Sequence, residues 1–154
     1  SLIKAIKNFK GLKYRQQIIF ENKNITVIND SKSTSYSSSI EMLKKSKNIY
    51  WLLGGIPKKG DKFNLSKKYY KNIRGFVFGK KYKKFTVDLK NKIKFKKFSN
   101  LKKALIGVLH DIKKDNSIKK TILLSPSAAS FDYFKNFEDR GYYFDNLIKK
   151  YFNA

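Results

Sequence analysis

Residues 25–55, ITVINDSKSTSYSSSIEMLKKSKNIYWLLGG, hold a strand, a helix and a second strand in succession. Ile25 to Ile28 is a short, mostly apolar run, and Ile49 to Leu53 is apolar throughout, so neither shows the alternation of a sheet with one wet face. Between them Thr34 to Lys45 predicts a helix. Apolar strands joined by a helical crossover predict parallel pairing in a sheet covered on both faces.

The pattern continues outward in both directions. Upstream, Gln16 to Phe20 pairs naturally with Ile25 to Ile28 across the turn-like Glu21-Asn22-Lys23-Asn24, a hairpin that adds one antiparallel strand. Before it, Leu2, Ala5, Ile6 and Phe9 recur at helical spacing, and Gly11 ends that helix. Downstream, helix is expected over Leu65 to Tyr70 and strand over Gly75 to Phe78. Phe85 to Leu89 fits either state, and Ile93 to Phe95 reads as a short strand. Leu101 to Ile112 is the clearest helix, with Leu101, Leu105, Val108, Leu109 and Ile112 as one apolar stripe and Ser99 or Asn100 as its cap. Thr121 to Leu124 is a last buried strand, followed by helices around Tyr133 to Phe137 and Tyr142 to Tyr151. The expected architecture is a three-layer, Rossmann-like α/β domain over residues 1–154, with a mainly parallel sheet and one antiparallel strand.

The chain has 154 residues, 41% of them hydrophobic, which suits one domain with one buried core. No apolar run approaches the roughly 20 residues of a membrane span, and residues 1–9 lack the uninterrupted apolar stretch of a secretory signal. A cytoplasmic, membrane-free, monomeric protein is expected. There is no cysteine and one histidine, His110, which excludes disulfides and thiolate metal sites and leaves no histidine cage; no metal ligand is expected on this chain.

The net charge is +25. Clustered cations release counterions from nucleic acids, so a small basic nucleic-acid-binding module is the alternative reading. Yet 33 of the 36 basic residues are lysine, the arginines being Arg15, Arg74 and Arg140. Base-edge and phosphate recognition draws heavily on the arginine fork, and these lysines are spread along the whole chain. No specific nucleic-acid partner is expected.

In an open parallel sheet, ligands sit beyond the carboxyl ends of the strands. Three loops there carry unusual residues: Asn29-Asp30-Ser31-Lys32-Ser33-Thr34 at a helix start, Gly54-Gly55-Ile56-Pro57-Lys58-Lys59-Gly60-Asp61, and Ser125-Pro126-Ser127-Ala128-Ala129-Ser130-Phe131-Asp132. Taken singly, these are a helix cap, a turn and a serine-rich connection. Together they offer hydroxyls, backbone donors and at least two ammonium groups to a small dianion such as glutamate. Neither GxGxxG nor GxxxxGK[ST] is present to cradle phosphates. His110 falls off the apolar stripe of its helix and reads as an exposed bystander, and Trp51 reads as core.

Four blocks then resemble one family in order and spacing: Phe9-Lys10-Gly11-Leu12-Lys13-Tyr14-Arg15, Asn29 to Thr34, Leu53-Gly54-Gly55 with Lys58, and Leu124-Ser125-Pro126 through Arg140-Gly141. The chain resembles the Mur ligases over nearly its full length, and the block Ser130 to Glu138 is similar to the branch that adds D-glutamate to UDP-N-acetylmuramoyl-L-alanine. The other Mur ligases and folylpolyglutamate synthase fit that block less well. The resemblance implies the third, carboxy-terminal domain of an ATP-driven amide ligase, with the UDP-binding and central ATPase domains upstream of this sequence and ATP and Mg2+ held mainly by the central one. It implies that Thr34 and Lys58 bind one carboxylate of D-glutamate, that Ser130 and the backbone of Phe137 bind the other, that Lys32 is the catalytic residue beside the reacting centre, and that Arg15 and Asp30 face ATP. It also implies that the domain alone is inactive. Three positions depart from the family's usual residues: Tyr14 for histidine, Ser33 for alanine, and Ser127-Ala128 for an Ala-Cys pair.

Overall fold

Ile49, Trp51, Leu52, Leu53, Ile122, Leu123 and Leu124 are all fully buried although neighbours along a strand point to opposite faces. That is possible only in a sheet packed on both sides, where each such side chain contributes about 1.5–3 kcal/mol. The computed structural model describes residues 13–152. Its strands are β1 Gln17–Glu21, β2 Ile25–Asn29, β3 Ile49–Gly54, β4 Ile56–Pro57, β5 Ile73–Phe78, β6 Lys94–Phe98, β7 Lys120–Leu124 and β8 Ala128–Ala129. Its α-helices are α1 Tyr36–Lys45, α2 Tyr82–Leu89, α3 Leu101–Ile112 and α4 Phe137–Phe152, with a 3-10 turn at Lys67–Asn72.

Six strands form the main sheet in the order β1-β2-β7-β3-β5-β6, and β4 and β8 form a separate two-stranded one. β1 runs antiparallel to β2, with a bulge between Ile18 and Phe20, and the other main-sheet pairs are parallel. The steps from β2 to β3 and from β5 to β6 cross the sheet one way, whereas β6 to β7 crosses back. Right-handed crossovers therefore put α1 and α2 on one face and α3 on the other. The two cores show this division. Met42, Leu43, Phe85 and Leu89 pack with Trp51, Leu53 and Val77, while Leu105, Val108, Phe144 and Ile148 pack with Tyr50, Leu52 and Phe76. The fold is a three-layer, Rossmann-like α/β domain. Both sheet faces are covered, so the sheet aromatics Tyr50, Trp51, Phe76 and Phe78 are buried and offer no stacking platform for bases.

Several expectations are corrected. Helix α1 starts at Tyr36, two residues late, because Ser35 and Ser38 close a capping box. The helix expected at Leu65 to Tyr70 is the 3-10 turn, and the ambiguous Phe85 to Leu89 is helical. The two helices expected after Tyr133 are one. Residues 131–136 form turns and α4 begins at Phe137, where the side chain of Asn136 accepts the amide of Asp139 at 2.9 Å. Asn100 caps α3 through the amide of Lys103 at 2.8 Å. The helix expected over residues 1–9, its stop at Gly11, and the first motif block as far as Leu12 lie outside the described residues. Among those residues no helix is long and apolar enough to cross a membrane.

Candidate functional site

The three loops singled out above leave β2, β7 and β3, which are neighbours in the sheet, so one crevice collects all of them. Backbone bonds stitch their roots together. The amide of Asp30 donates to Leu124 at 2.7 Å, that of Gly54 to Pro126 at 3.0 Å, and that of Ser125 to Leu52 at 3.2 Å. The Trp51 indole donates to the Ser125 carbonyl at 2.8 Å. Farther out, β4 pairs antiparallel with β8, Ile56 opposite Ala129 and Pro57 opposite Ala128. Gly55 makes this contact possible: its φ is +128°, and a Cβ there would lie 2.3 Å from the Ala129 carbonyl oxygen.

Below the loops lies a buried polar floor. Ser125 donates its hydroxyl to Asp30 at 2.8 Å and also meets Ser39 at 2.6 Å, while Ser39 bonds Ser127 at 2.7 Å and is bonded by Ser33. Asp30 additionally accepts the Gln16 amide at 3.1 Å. Burial pushes the Asp30 carboxyl up to about 6, against the opposing pull of the Ser125 and Gln16 bonds and of the Arg15 charge. Arg140 is fully buried and spans two loops. Its Nε donates to the Ser31 hydroxyl at 3.0 Å, Nη2 to the Ser31 carbonyl at 2.7 Å and Nη1 to the Ala128 carbonyl at 2.9 Å. Burial lowers its pKa to about 10, so it stays charged at neutral pH. Ser31 in turn donates to the Phe137 carbonyl at 2.7 Å, and Asn29 donates to the Gly141 carbonyl at 2.9 Å and Asp145 at 2.8 Å. The start of α4 is thereby fastened to the first loop.

Over this floor the sequence-predicted residues take distinct places. Arg15, Lys32, Thr34 and Lys58 are exposed, whereas Asp30 and Ser130 are buried. Lys32 and Phe137 are brought together, the Lys32 ammonium standing 5.1 Å from the centre of the Phe137 ring. Phe137 is the first residue of α4, where the helix presents partial positive charge. Lys58 and Ser130 extend from opposite ends of the β4–β8 ladder. Thr34 sits at the entry to α1, and Arg15 lies next to the buried Asp30 carboxyl. His110 is exposed and Trp51 is core, as read from the sequence.

Compared with known proteins, the chain is 36% identical to a UDP-N-acetylmuramoylalanine–D-glutamate ligase of Wolbachia sp. subsp. Brugia malayi over 150 residues, 97% of this chain and 30% of that protein. It is 37% identical to the ligase of that name from Rickettsia felis over 150 residues, 97% of this chain and 33% of that protein. With the Rickettsia conorii ligase the identity is 39% over 147 residues, 95% of this chain and 29% of that protein. Over 95–97% of its own length the chain is similar to UDP-N-acetylmuramoylalanine–D-glutamate ligases. It spans about a third of the length of these curated relatives. No protein-family model matches it.

Two features of this chain escaped the sequence. The first is the part played by Arg140. An arginine in so lysine-rich a chain, one of three beside 33 lysines, is itself a signal, because the planar guanidinium holds its donors in a rigid fork that can span acceptors on two loops. The second is the β4–β8 ladder, whose strands of two residues each are too short to carry any periodicity.

Proposed function

We propose that this chain is the carboxy-terminal, amino-acid-binding domain of a cytoplasmic ATP-dependent ligase that joins D-glutamate to UDP-N-acetylmuramoyl-L-alanine in cell-wall precursor synthesis. The observation that carries the reading is similarity along 97% of the chain to proteins that bear that ligase's name. The crevice supports it, since the chain gathers ammonium groups, hydroxyls and a helix amino terminus at one edge of the sheet, where a dianion is favoured.

In this reading Thr34 and Lys58 take one carboxylate of D-glutamate, and Ser130 with the backbone amide of Phe137 takes the other. Two carboxylates held from opposite ends of the β4–β8 ladder fix the direction in which the amine points. Lys32 stands beside the reacting centre, where its charge steadies the negative charge that develops as the amine attacks the activated carboxyl carbon. Arg15 faces ATP, and Asp30 beside it keeps the nucleotide-facing loop in place through Ser125 and Gln16. ATP, together with Mg2+, supplies the activation by phosphorylating the acceptor's carboxylate. Among the described residues no group of three His, Cys, Asp or Glu side chains could hold a metal ion, so no step is assigned to a metal bound by this chain.

The test is a ligase assay on the full-length protein that contains this chain. It should consume ATP only when both UDP-N-acetylmuramoyl-L-alanine and D-glutamate are present, and L-glutamate should not replace the D form. The 154-residue chain alone should release no phosphate from Mg-ATP. Turnover with another amino acid in place of D-glutamate, or phosphate release by the isolated chain, would overturn the proposal.

A further inference from the structure

The edge of the sheet opposite the crevice carries a second concave surface. At the amino-terminal ends of β5 and β6, the 3-10 turn Lys67–Asn72, the bend at residues 91–93 and the first residue of β6 enclose a cleft of about 670 Å3. Strands of five or six residues separate it from the crevice by roughly 20 Å. Lys67, Lys68, Lys71, Arg74, Lys92 and Lys94 line the cleft, and no carboxylate does. Among the described residues none of these five lysines has a carboxylate oxygen within 4.0 Å.

The frame that carries these charges is fixed. Asn72 accepts the Asn48 amide at 2.6 Å and donates to the Ser46 carbonyl at 3.0 Å. Arg74 donates to the Asn48 side chain at 2.7 Å and lies 4.8 Å from the centre of the Tyr50 ring. Asn91 adopts a φ of 62°, and the bend it makes is closed by the Lys92 and Ile93 amides, which donate to Leu89 at 2.9 and 3.0 Å. A lysine-rich composition accounts for many cations on a surface. It does not account for a concavity walled by five lysines with no acidic partner, beside an Arg74 whose acidic neighbour is Asp115 at 4.0 Å, and a bound anion would relieve the lysines' mutual repulsion.

We propose that this cleft binds a small linear polyphosphate anion. Its volume falls within the roughly 300–1,000 Å3 of small-molecule sites. Lysine ammonium groups are mobile point charges, suited to a chain of phosphates that has no fixed orientation. The cleft has one aromatic in its lining, Tyr70, and so lacks the successive rings on which a strand of bases stacks.

The test is calorimetric titration of the full chain with inorganic tripolyphosphate near physiological salt. Saturable binding to one site is expected. The triple variant Lys67→Glu, Lys71→Glu, Lys94→Glu should weaken it by at least about tenfold. An equal charge change elsewhere, Lys23→Glu, Lys103→Glu, Lys149→Glu, should weaken it by no more than about threefold, since charges beyond a Debye length are screened. All six positions are exposed, and thermal melts verify that both variants fold. Equal weakening by the two triples, no saturation at millimolar tripolyphosphate, or tighter binding of a single-stranded oligonucleotide through the same lysines would each overturn the proposal.

Discussion

Arg140 holds Ser31, 109 residues earlier in the chain, by both its hydroxyl and its carbonyl oxygen. The same guanidinium reaches the Ala128 carbonyl, so one side chain sets the spacing between the loop after β2 and the loop after β7. Arg140→Ala would leave two buried carbonyl oxygens unmet and open a void. It should lower the unfolding free energy by about 3 kcal/mol or more. Arg140→Lys keeps the charge, but its single ammonium cannot spread its donors across two loops as the fork does, and it should recover less than half of the loss. Denaturant unfolding measures both, and an alanine variant within about 1 kcal/mol of wild type would contradict this role.

Gly55 and Gly60 form a controlled pair on the loop after β3. Both have positive φ, but a Cβ at Gly55 meets the Ala129 carbonyl at 2.3 Å, whereas one at Gly60 meets nothing within 4 Å. Gly60→Ala should cost only the backbone strain of about 1–2 kcal/mol. Gly55→Ala should cost more, because the β4–β8 ladder must part. Similar melting temperatures for the two variants would show that the ladder contributes little.

The Asp30 carboxyl gives the fold a pH dependence of known sign. Burial raises it from 3.8 to about 6, so between those values the folded protein holds a proton that the unfolded chain has released. The stability this group confers is therefore complete below pH about 4 and falls as pH rises to about 6, by up to about 3 kcal/mol. Asp30→Asn is neutral throughout and removes that slope. The stability difference, variant minus wild type, should rise between pH 4 and 7, and parallel profiles would rule the effect out.

Much of the fold was legible because its strands are apolar on both faces. Ile49 to Leu53 and Thr121 to Leu124 could be nothing but central strands of a covered sheet. The three loops were legible too, as glycine, hydroxyl and lysine clusters at strand ends. What escaped depends on contacts distant in sequence. Gly141 lies inside α4, and it is glycine there because a Cβ would come within 2.4 Å of the Tyr14 ring, a residue 127 positions earlier. α2 carries the β-branched Thr86 and Val87, and only the burial of Phe85 and Leu89 against the sheet decides its state. Nothing in the serine-rich run marks Ser130 as buried, yet it is 2% exposed, and its carbonyl accepts the amides of Tyr133 and Phe134.

The most direct measurement of the proposed function is the Michaelis constant for D-glutamate in the full-length protein that contains this chain, carrying Lys58→Ala. A charge-assisted hydrogen bond to a carboxylate contributes about 1.5–3 kcal/mol, so this constant should rise roughly ten- to a hundredfold. Ser130→Ala should raise it less, since a neutral donor is lost. In both variants the constant for ATP and the melting temperature should stay near wild type. An unchanged constant for D-glutamate in Lys58→Ala would contradict the placement of the amino acid in this crevice.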